Sequence, residues 1–368
     1  MLFAKENGIT EQYLKTENEF LRRIFFSNQK KKGEAKVKKI IIFGATGNVG
    51  SYVTKYASEF FDRTNFEVIA SGRRNTDVFN QFGVKFIQVD ILKKSDFEKL
   101  PKEDVHAVIL LAATIPSYMD EYDGEKYLQT NIVGTFNVLE YCRKANVDRI
   151  LFSQTVFDVS LYAQEDPNRV LKPDLPPYFS YSGDHAVYVI SKNTAIELLK
   201  HYYAEYGLKY FVFRFPTIYE YSTFQYYYPN GVKTMRPLYK QINRAIKGEP
   251  LEIWGDPNYA KDMVHVYDCA QMLCKACLVN RETGFYNVGT GIPVTLQEQC
   301  QAIIDVFSPK DHPSTIEYHP GKSGGGFLMD IQNAKDELGY EPLMDVHKLF
   351  ENYKEEAKIN RFESLRGK

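Results

Sequence analysis

The chain has 368 residues, 44% hydrophobic and 25% charged, with a formal net charge of −1. A soluble globular protein of one large or two ordinary domains is expected, with no global field to recruit nucleic acid. The longest apolar runs, KIIIFGA and HAVILLAAT, are far short of a membrane span, and the charged N-terminus is no signal peptide, so a cytoplasmic location without membrane partners follows.

Residues 1–36 stand apart. Ile9 to Phe26 has helical apolar spacing, and the basic stretch NQKKKGEAKVKK reads as a solvated linker. From Val37 strands and helices alternate. KKIIIFGA leads to NVGSYVTKYASEFF, FEVIASG to NTDVFNQF, VKFIQVD to KSDFEKL, and HAVILLAA to a long helix from Tyr127 to Ala145. RILFSQT is followed by a loop rich in Pro and Tyr, then by the helix YVISKNTAIELLKHYYAEYG and the strand KYFVFRF. Buried apolar strands alternating with helices specify an α/β fold with a doubly wound parallel sheet of the Rossmann type.

The remainder is less regular and predicts a smaller mixed α/β lobe facing the substrate. It contains the helices RPLYKQINRAIKG and LQEQCQAIIDVF, a glycine loop, and DIQNAKDELGY. The expected division is an N-terminal extension over 1–36, a dinucleotide-binding domain over 37–215 and a substrate lobe over 216–368, with 263–290 returning to the dinucleotide domain. Five cysteines argue against a disulfide framework. Cys269, Cys274 and Cys277 fall on one amphipathic helix and read as buried thiols, so no metal is expected.

The first chemical constellation is GATGNVG, between the first strand and the first helix. Gly44 permits a tight turn, Gly47 a close approach of pyrophosphate, and Gly50 close helix–strand packing. Thr46, Asn48 and Val49 belong to the same cradle, where the helix N-terminus offers N–H groups to phosphate. No Walker lysine follows, which excludes a P-loop. The second strand ends in Ser71, Arg73 and Arg74, without the Asp or Glu that binds the ribose hydroxyls of NAD. A guanidinium fork suits a 2′-phosphate, so NADP(H) is favoured and NAD(H) stays open. Asp90, beside Ile91, either accepts from the adenine amino group or caps the following turn. Ala112, Ala113 and Thr114 end the fourth strand with small side chains that leave room for a cofactor, and Phe215 ends the sixth.

The second constellation is Tyr188-Val-Ile-Ser-Lys192 on a helix, where a spacing of four puts phenol and ammonium on one face. The lysine is expected to lower the tyrosine pKa and make it a usable acid/base. Upstream, ILFSQT ends in Thr155, either a hydrogen-bond donor to the reacting oxygen or a strand-end residue satisfying backbone, with Ser153 in support.

With these segments in order, the chain resembles the extended short-chain dehydrogenase/reductases of the nucleotide-sugar epimerase/dehydratase family, over about Val37 to Phe350. The matching segments are GATGNVG, Asp90-Ile91, LLAAT, NIVGTFNVLE, FSQT, YVISK, FRFPTIY, KDMVHVYDCA, YNVGTG and DIQNAKDELGYEP. The resemblance implies Tyr188 as acid/base, Lys192 as its tuner and a ribose binder, Thr155 as the substrate-orienting hydroxyl and Asn131 as a support of the active site. His265 and Asp268 match the segment that closes the cleft and read as structural. It also implies a nucleotide-diphosphate sugar substrate and a homodimer built on the Tyr helix and the long helix before it.

The chain departs from its relatives where substrate is chosen. Val156 and Phe157 stand where dehydratases carry Asp-Glu after the catalytic Thr, so 4,6-dehydration is disfavoured. The substrate-binding asparagine is Thr217, and two arginines are matched by Lys261 and Lys322, which keep charge but lose bidentate geometry. Val187 replaces the usual proline. Hydride exchange at a ring carbon, at C4, remains, and the arginines tilt the reading slightly toward a 4-keto reductase over a 4-epimerase. A reductase of non-sugar alcohols or ketones, or a non-catalytic NADP sensor, is the alternative.

Overall fold

Alternate residues of the first strand enter opposite cores. In the computed structural model Ile40 and Ile42 pack on one face of the central sheet, Ile41 and Phe43 on the other, and all four are fully buried. A strand buried on both faces must be apolar throughout, which is why KKIIIF reads as a continuous run. The structure describes residues 36–116, 119, 121–321 and 326–366. The expected helix over Ile9–Phe26 and the candidate Lys322 lie outside the described residues.

Seven parallel strands form the sheet: β1 (Lys38–Phe43), β2 (Phe66–Gly72), β3 (Lys85–Gln88), β4 (Val105–Leu110), β5 (Arg149–Thr155), β6 (Lys209–Phe215) and β7 (Thr283–Asn287). Their spatial order is β7-β6-β5-β4-β1-β2-β3. The order reverses beside β1, so the crevice at the carboxyl ends of β1 and β4 is the place where such sheets bind ligands.

Helix α1 (Asn48–Phe60) lies against α5 (Val266–Ala276), and both cover one face. On the other face are α2 (Thr135–Lys144) and α3 (Ala186–Tyr206). α2 is entered through a helical turn, Gly124–Tyr127, and a π-helical stretch, Leu128–Gly134. The expected helices after β2 and β3 are 3₁₀ segments, Val78–Phe82 and Lys94–Lys99. Each is five or six residues long, too short for α-helix propagation to repay nucleation. The Pro- and Tyr-rich stretch after β5 is not all loop: it carries a helix, Ser160–Glu165, and a two-residue strand, Val170–Leu171, that pairs with Leu328–Met329.

The lobe has its own core, in which Tyr239, Ile242, Leu251, Ile253, Ile303, Leu349 and Phe350 meet. These come from α4 (Pro237–Ile246), α6 (Leu296–Phe307) and α8 (Val346–Ile359), with the strand Leu251–Trp254. α7 (Gln332–Leu338) packs back on α5. Cys269, Cys274 and Cys277 are all buried. No helix among the described residues is long and apolar enough to cross a membrane.

Candidate active site

The loop between β1 and α1 is built by glycine. Gly44 has φ +83°, and a Cβ there would lie 2.5 Å from the Ala112 amide nitrogen at the end of β4. A Cβ at Gly50 would be driven into the Gly44 carbonyl, so only glycine lets α1 start this close to β1. Gly47 is the N-cap of α1 and makes no side-chain cap, and the first turn holds no acidic residue. The N–H groups of Asn48, Val49 and Gly50 therefore face outward from a positive helix end, an anion site by construction. Thr46 packs over Gly72, where a Cβ would come within 2.8 Å of its Oγ1.

At the end of β2, Ser71 is fully buried and its Oγ has no hydrogen-bond partner among the described residues. Arg73 and Arg74 are both exposed, but Arg74 donates to the Leu365 carbonyl at 3.1 Å, so one of the two guanidinium groups is already engaged by the C-terminal segment. Asp90 accepts from the Leu92 amide at 3.1 Å, which is the turn-capping role. Ile91 is buried, and its carbonyl accepts from Asn137 Nδ2.

Asn131 sits in the π-helical stretch and is buried. Its Oδ1 accepts from the Thr114 amide at 2.9 Å, while its Nδ2 donates to the Thr114 carbonyl at 3.1 Å and to Ser191 Oγ at 2.9 Å. Ser191 in turn donates to the Tyr188 carbonyl. One amide thus ties the end of β4 to the helix that carries Tyr188 and Lys192. A π-bulge shifts side-chain phase by one residue, and such bulges concentrate at functional sites.

Thr155, Tyr188 and Lys192 come together under cover. Thr155 is buried, and its Oγ1 accepts from the Phe157 amide at 3.3 Å. Tyr188 is buried too, and burial pushes its phenol far above the ordinary range, against a lowering hydrogen bond with Thr155. Burial holds the Lys192 ammonium down, at about 7. Its Nζ lies 3.9 Å from the Phe152 ring centroid and makes no hydrogen bond among the described residues. The expected lowering of Tyr188 by Lys192 does not figure in either shift: burial is the leading cause for both groups, raising the phenol and lowering the ammonium.

Behind Thr155 lies a network that the sequence reading missed. Gln154 accepts from the Thr155 amide at 2.9 Å and donates to Asn193 of α3 at 2.6 Å and to Asp158 at 3.4 Å. Asp158 pairs with Arg214 of β6 at 2.9 Å, both almost wholly buried, and Arg214 also donates to the carbonyls of Lys172 and Pro173 and to Asn287. The partners are 56 residues apart in the chain, so no local spacing marks them.

The substrate-side candidates scatter more widely. Ser153 donates to the Leu110 carbonyl at 3.4 Å, inside the sheet. Thr217 is exposed just past β6, and Phe215 is half-buried against the core. Lys261 Nζ stands 5.8 Å from the Tyr219 ring centroid. A cavity of ≈ 520 Å³ opens next to Tyr188, lined by Tyr122, Tyr127, Asp184 and Tyr228 among others. The Tyr127 and Tyr188 ring centroids are 6.0 Å apart. His265 caps α5 and Asp268 accepts from the Leu343 amide, both structural roles.

Comparison with known proteins agrees with this geometry. Residues 40–289 match the NAD dependent epimerase/dehydratase family. A putative UDP-glucose 4-epimerase of Methanocaldococcus jannaschii is 27% identical over 316 residues, 83% of this chain and 94% of the relative. The dTDP-glucose 4,6-dehydratase of Haemophilus influenzae is 25% identical over 82% of this chain and 93% of its own. Among solved structures, the UDP-glucose 4-epimerase of Thermotoga maritima with UDP-glucose has a TM-score of 0.68 at 21% identity, covering 88% of this chain and 99% of that one. The UDP-glucuronic acid 4-epimerase of Bacillus cereus in complex with NAD has a TM-score of 0.65 at 19% identity, covering 86% and 96%. These structural likenesses speak for the fold. With its glycine cradle, its Thr155–Tyr188–Lys192 cluster and a family match across most of its length, the chain is an enzyme of the NAD-dependent epimerase/dehydratase family, an extended short-chain dehydrogenase/reductase.

Proposed function

We propose that the enzyme moves hydride at ring carbon C4 of a nucleotide-diphosphate sugar, with 4-epimerisation as the net reaction. The convergence of buried Thr155, at the end of β5, with buried Tyr188 and Lys192, one turn apart on α3, carries this reading.

The residues present fit the family's dinucleotide. The unpartnered Ser71 Oγ and the glycine cradle that a Cβ would fill are both unfinished without a ligand. Gly44, Thr46, Gly47, Asn48, Val49 and Gly50 would hold the pyrophosphate, Ser71 and Arg73 the adenosine ribose, Ala112, Ala113 and Thr114 the floor beneath, and Lys192 the nicotinamide ribose. When bound, the cofactor accepts and returns hydride. The chain's own part is proton movement and positioning. Tyr188 takes the proton of the C4 hydroxyl and gives it back, and Thr155 holds the same oxygen. Lys192 regains hydrogen-bond partners in the ribose hydroxyls, and its positive charge then supports the phenolate. Lys261 faces the diphosphate as a point charge.

Tyr188→Phe is expected to lose turnover of a UDP-hexose by at least ~100-fold, the lower scale for a general acid–base group, while binding dinucleotide as before. Unchanged turnover would sink the mechanism.

A second reading, an NADPH-dependent 4-keto reductase, is favoured by one feature: no acid ends β2, and the Arg73 guanidinium makes no hydrogen bond among the described residues. Arg74 supports it less than the sequence suggests, because its guanidinium meets Leu365. Fluorescence titration decides. NADP(H) binding at least ~10-fold tighter than NAD(H), with stoichiometric absorbance change at 340 nm, would make the enzyme a reductase. Equal binding and no net change leave it an epimerase.

A further inference from the structure

His185 lies three residues before Tyr188, as the N-cap of α3. Its Nδ1 is 2.5 Å from Asp184 Oδ1. Its ring packs on Phe157, with centroids 4.2 Å apart, and stands edge-on to Tyr188 at 6.5 Å. Asp184 lines the cavity beside Tyr188, and its charge, after burial, helps push the Tyr127 phenol up to about 12. Among the described residues the other imidazole nitrogen, Nε2, has no hydrogen bond, and a third of the side chain is open. A carboxylate on Nδ1–H fixes the tautomer and leaves Nε2 with the free lone pair. Val156 and Phe157, which follow Thr155, bring no titratable group to this side of the site, whereas the imidazole packed against Phe157 does.

From this geometry we propose that His185, held by Asp184, is a second proton-transfer group that works on carbon beside Tyr188. It acts on a sugar ketone of the kind formed by hydride loss at C4, and so rests on the reading of the site given above. Nε2 takes a proton from the carbon next to the carbonyl, the C–H pair moves into a carbon–carbon double bond, and the carbonyl π pair moves to oxygen. The enolate oxygen is met by the Thr155 hydroxyl. Return of a proton from the imidazolium, after exchange with solvent, to the same face restores the ketone, so no oxidant or reductant is consumed. The enzyme thereby labilises the hydrogen at C3 or C5, which hydride transfer at C4 leaves alone. Asp184 is a positioning residue in this scheme.

The test uses the full chain and UDP-4-keto-6-deoxyglucose in D₂O, with deuterium at C3 and C5 read by NMR and mass spectrometry. This probe is already a ketone, so exchange needs no hydride step. Wild type is expected to exchange faster than buffer. His185→Asn and His185→Gln should each cut the rate by ~100-fold or more, and Asp184→Asn by ~10-fold or more, with unfolding midpoints unchanged. Tyr188→Phe should alter exchange by less than ~10-fold while abolishing hydride transfer, so the two readings fail separately. Exchange no faster than buffer, or equal exchange in the His185 variants, overturns the proposal.

Discussion

At the scale of single residues, Lys192 shows how a site can be prepared at a cost to stability. A buried ammonium with no hydrogen bond is disfavoured, and its pKa falls from 10.5 to about 7. Above the ordinary lysine pKa both folded and unfolded chains carry it neutral, and it contributes nothing. As pH falls below 10.5 the unfolded chain gains the proton first, so stability is lost down to about pH 7 and then levels off. Lys192→Met should therefore stabilise the cofactor-free protein near pH 7 by about 1–4 kcal/mol, the range for replacing buried charge with apolar volume. The gain should shrink when urea unfolding is repeated near pH 9.5. A gain that is constant with pH would mean that Lys192 is not desolvated as described. The same deficit makes a ribose diol attractive to Nζ.

At the scale of elements, the start of α1 is fixed by a carbonyl rather than by a side chain. Gly50→Ala must push α1 away from Gly44, whereas Gly47→Ala meets the same carbonyl oxygen at 3.2 Å and needs a smaller adjustment. Gly50→Ala is expected to cost about 1–3 kcal/mol of stability and most dinucleotide affinity. Thermal unfolding and titration of the two variants should rank Gly50→Ala as the worse, and the reverse order would refute the packing account. This motif was legible in the sequence because Gly47 and Gly50 both answer to the Gly44 carbonyl within six residues, although Gly44 itself meets Ala112 across the sheet. So were β1 to β6; in β1, β2, β4, β5 and β6 the apolar runs reflect burial on both faces, while the edge strand β3 buries only Ile87. The π-helical stretch was not, since Leu128–Gly134 has ordinary helix-forming residues and its phase shift answers to Thr114 and Ser191. Nor were the Asp158–Arg214 pair and the capture of Arg74 by Leu365, 291 residues away, because long-range contacts leave no periodicity to read.

At the scale of the whole molecule, the lobe is fastened across the cofactor half at several points. Tyr52 of α1 donates to the Tyr221 carbonyl, Ser222 donates to Asn48 at the mouth of the phosphate cradle, and Phe362 packs edge-on against Tyr52. Glu356 and Arg361 form a two-pronged pair beneath them. The opposite side carries an apolar stripe: Leu128, Val133 and Phe136 on the entry to α2, and Ile190 on α3, are all exposed. We propose that this stripe is the homodimer face. Phe136→Glu should convert a dimer to a monomer in light scattering after size exclusion, and a wild-type monomer would dismiss the idea. The sheet itself has a delayed edge. β7 pairs with β6, yet residues 216–282 intervene and build much of the lobe first. During synthesis β6 leaves the ribosome with one side unpaired and keeps it so until Asn287 has followed. An open parallel edge is a template for foreign strands. The interval between those two strands is the period in which a nascent chain of this enzyme is most in need of a chaperone.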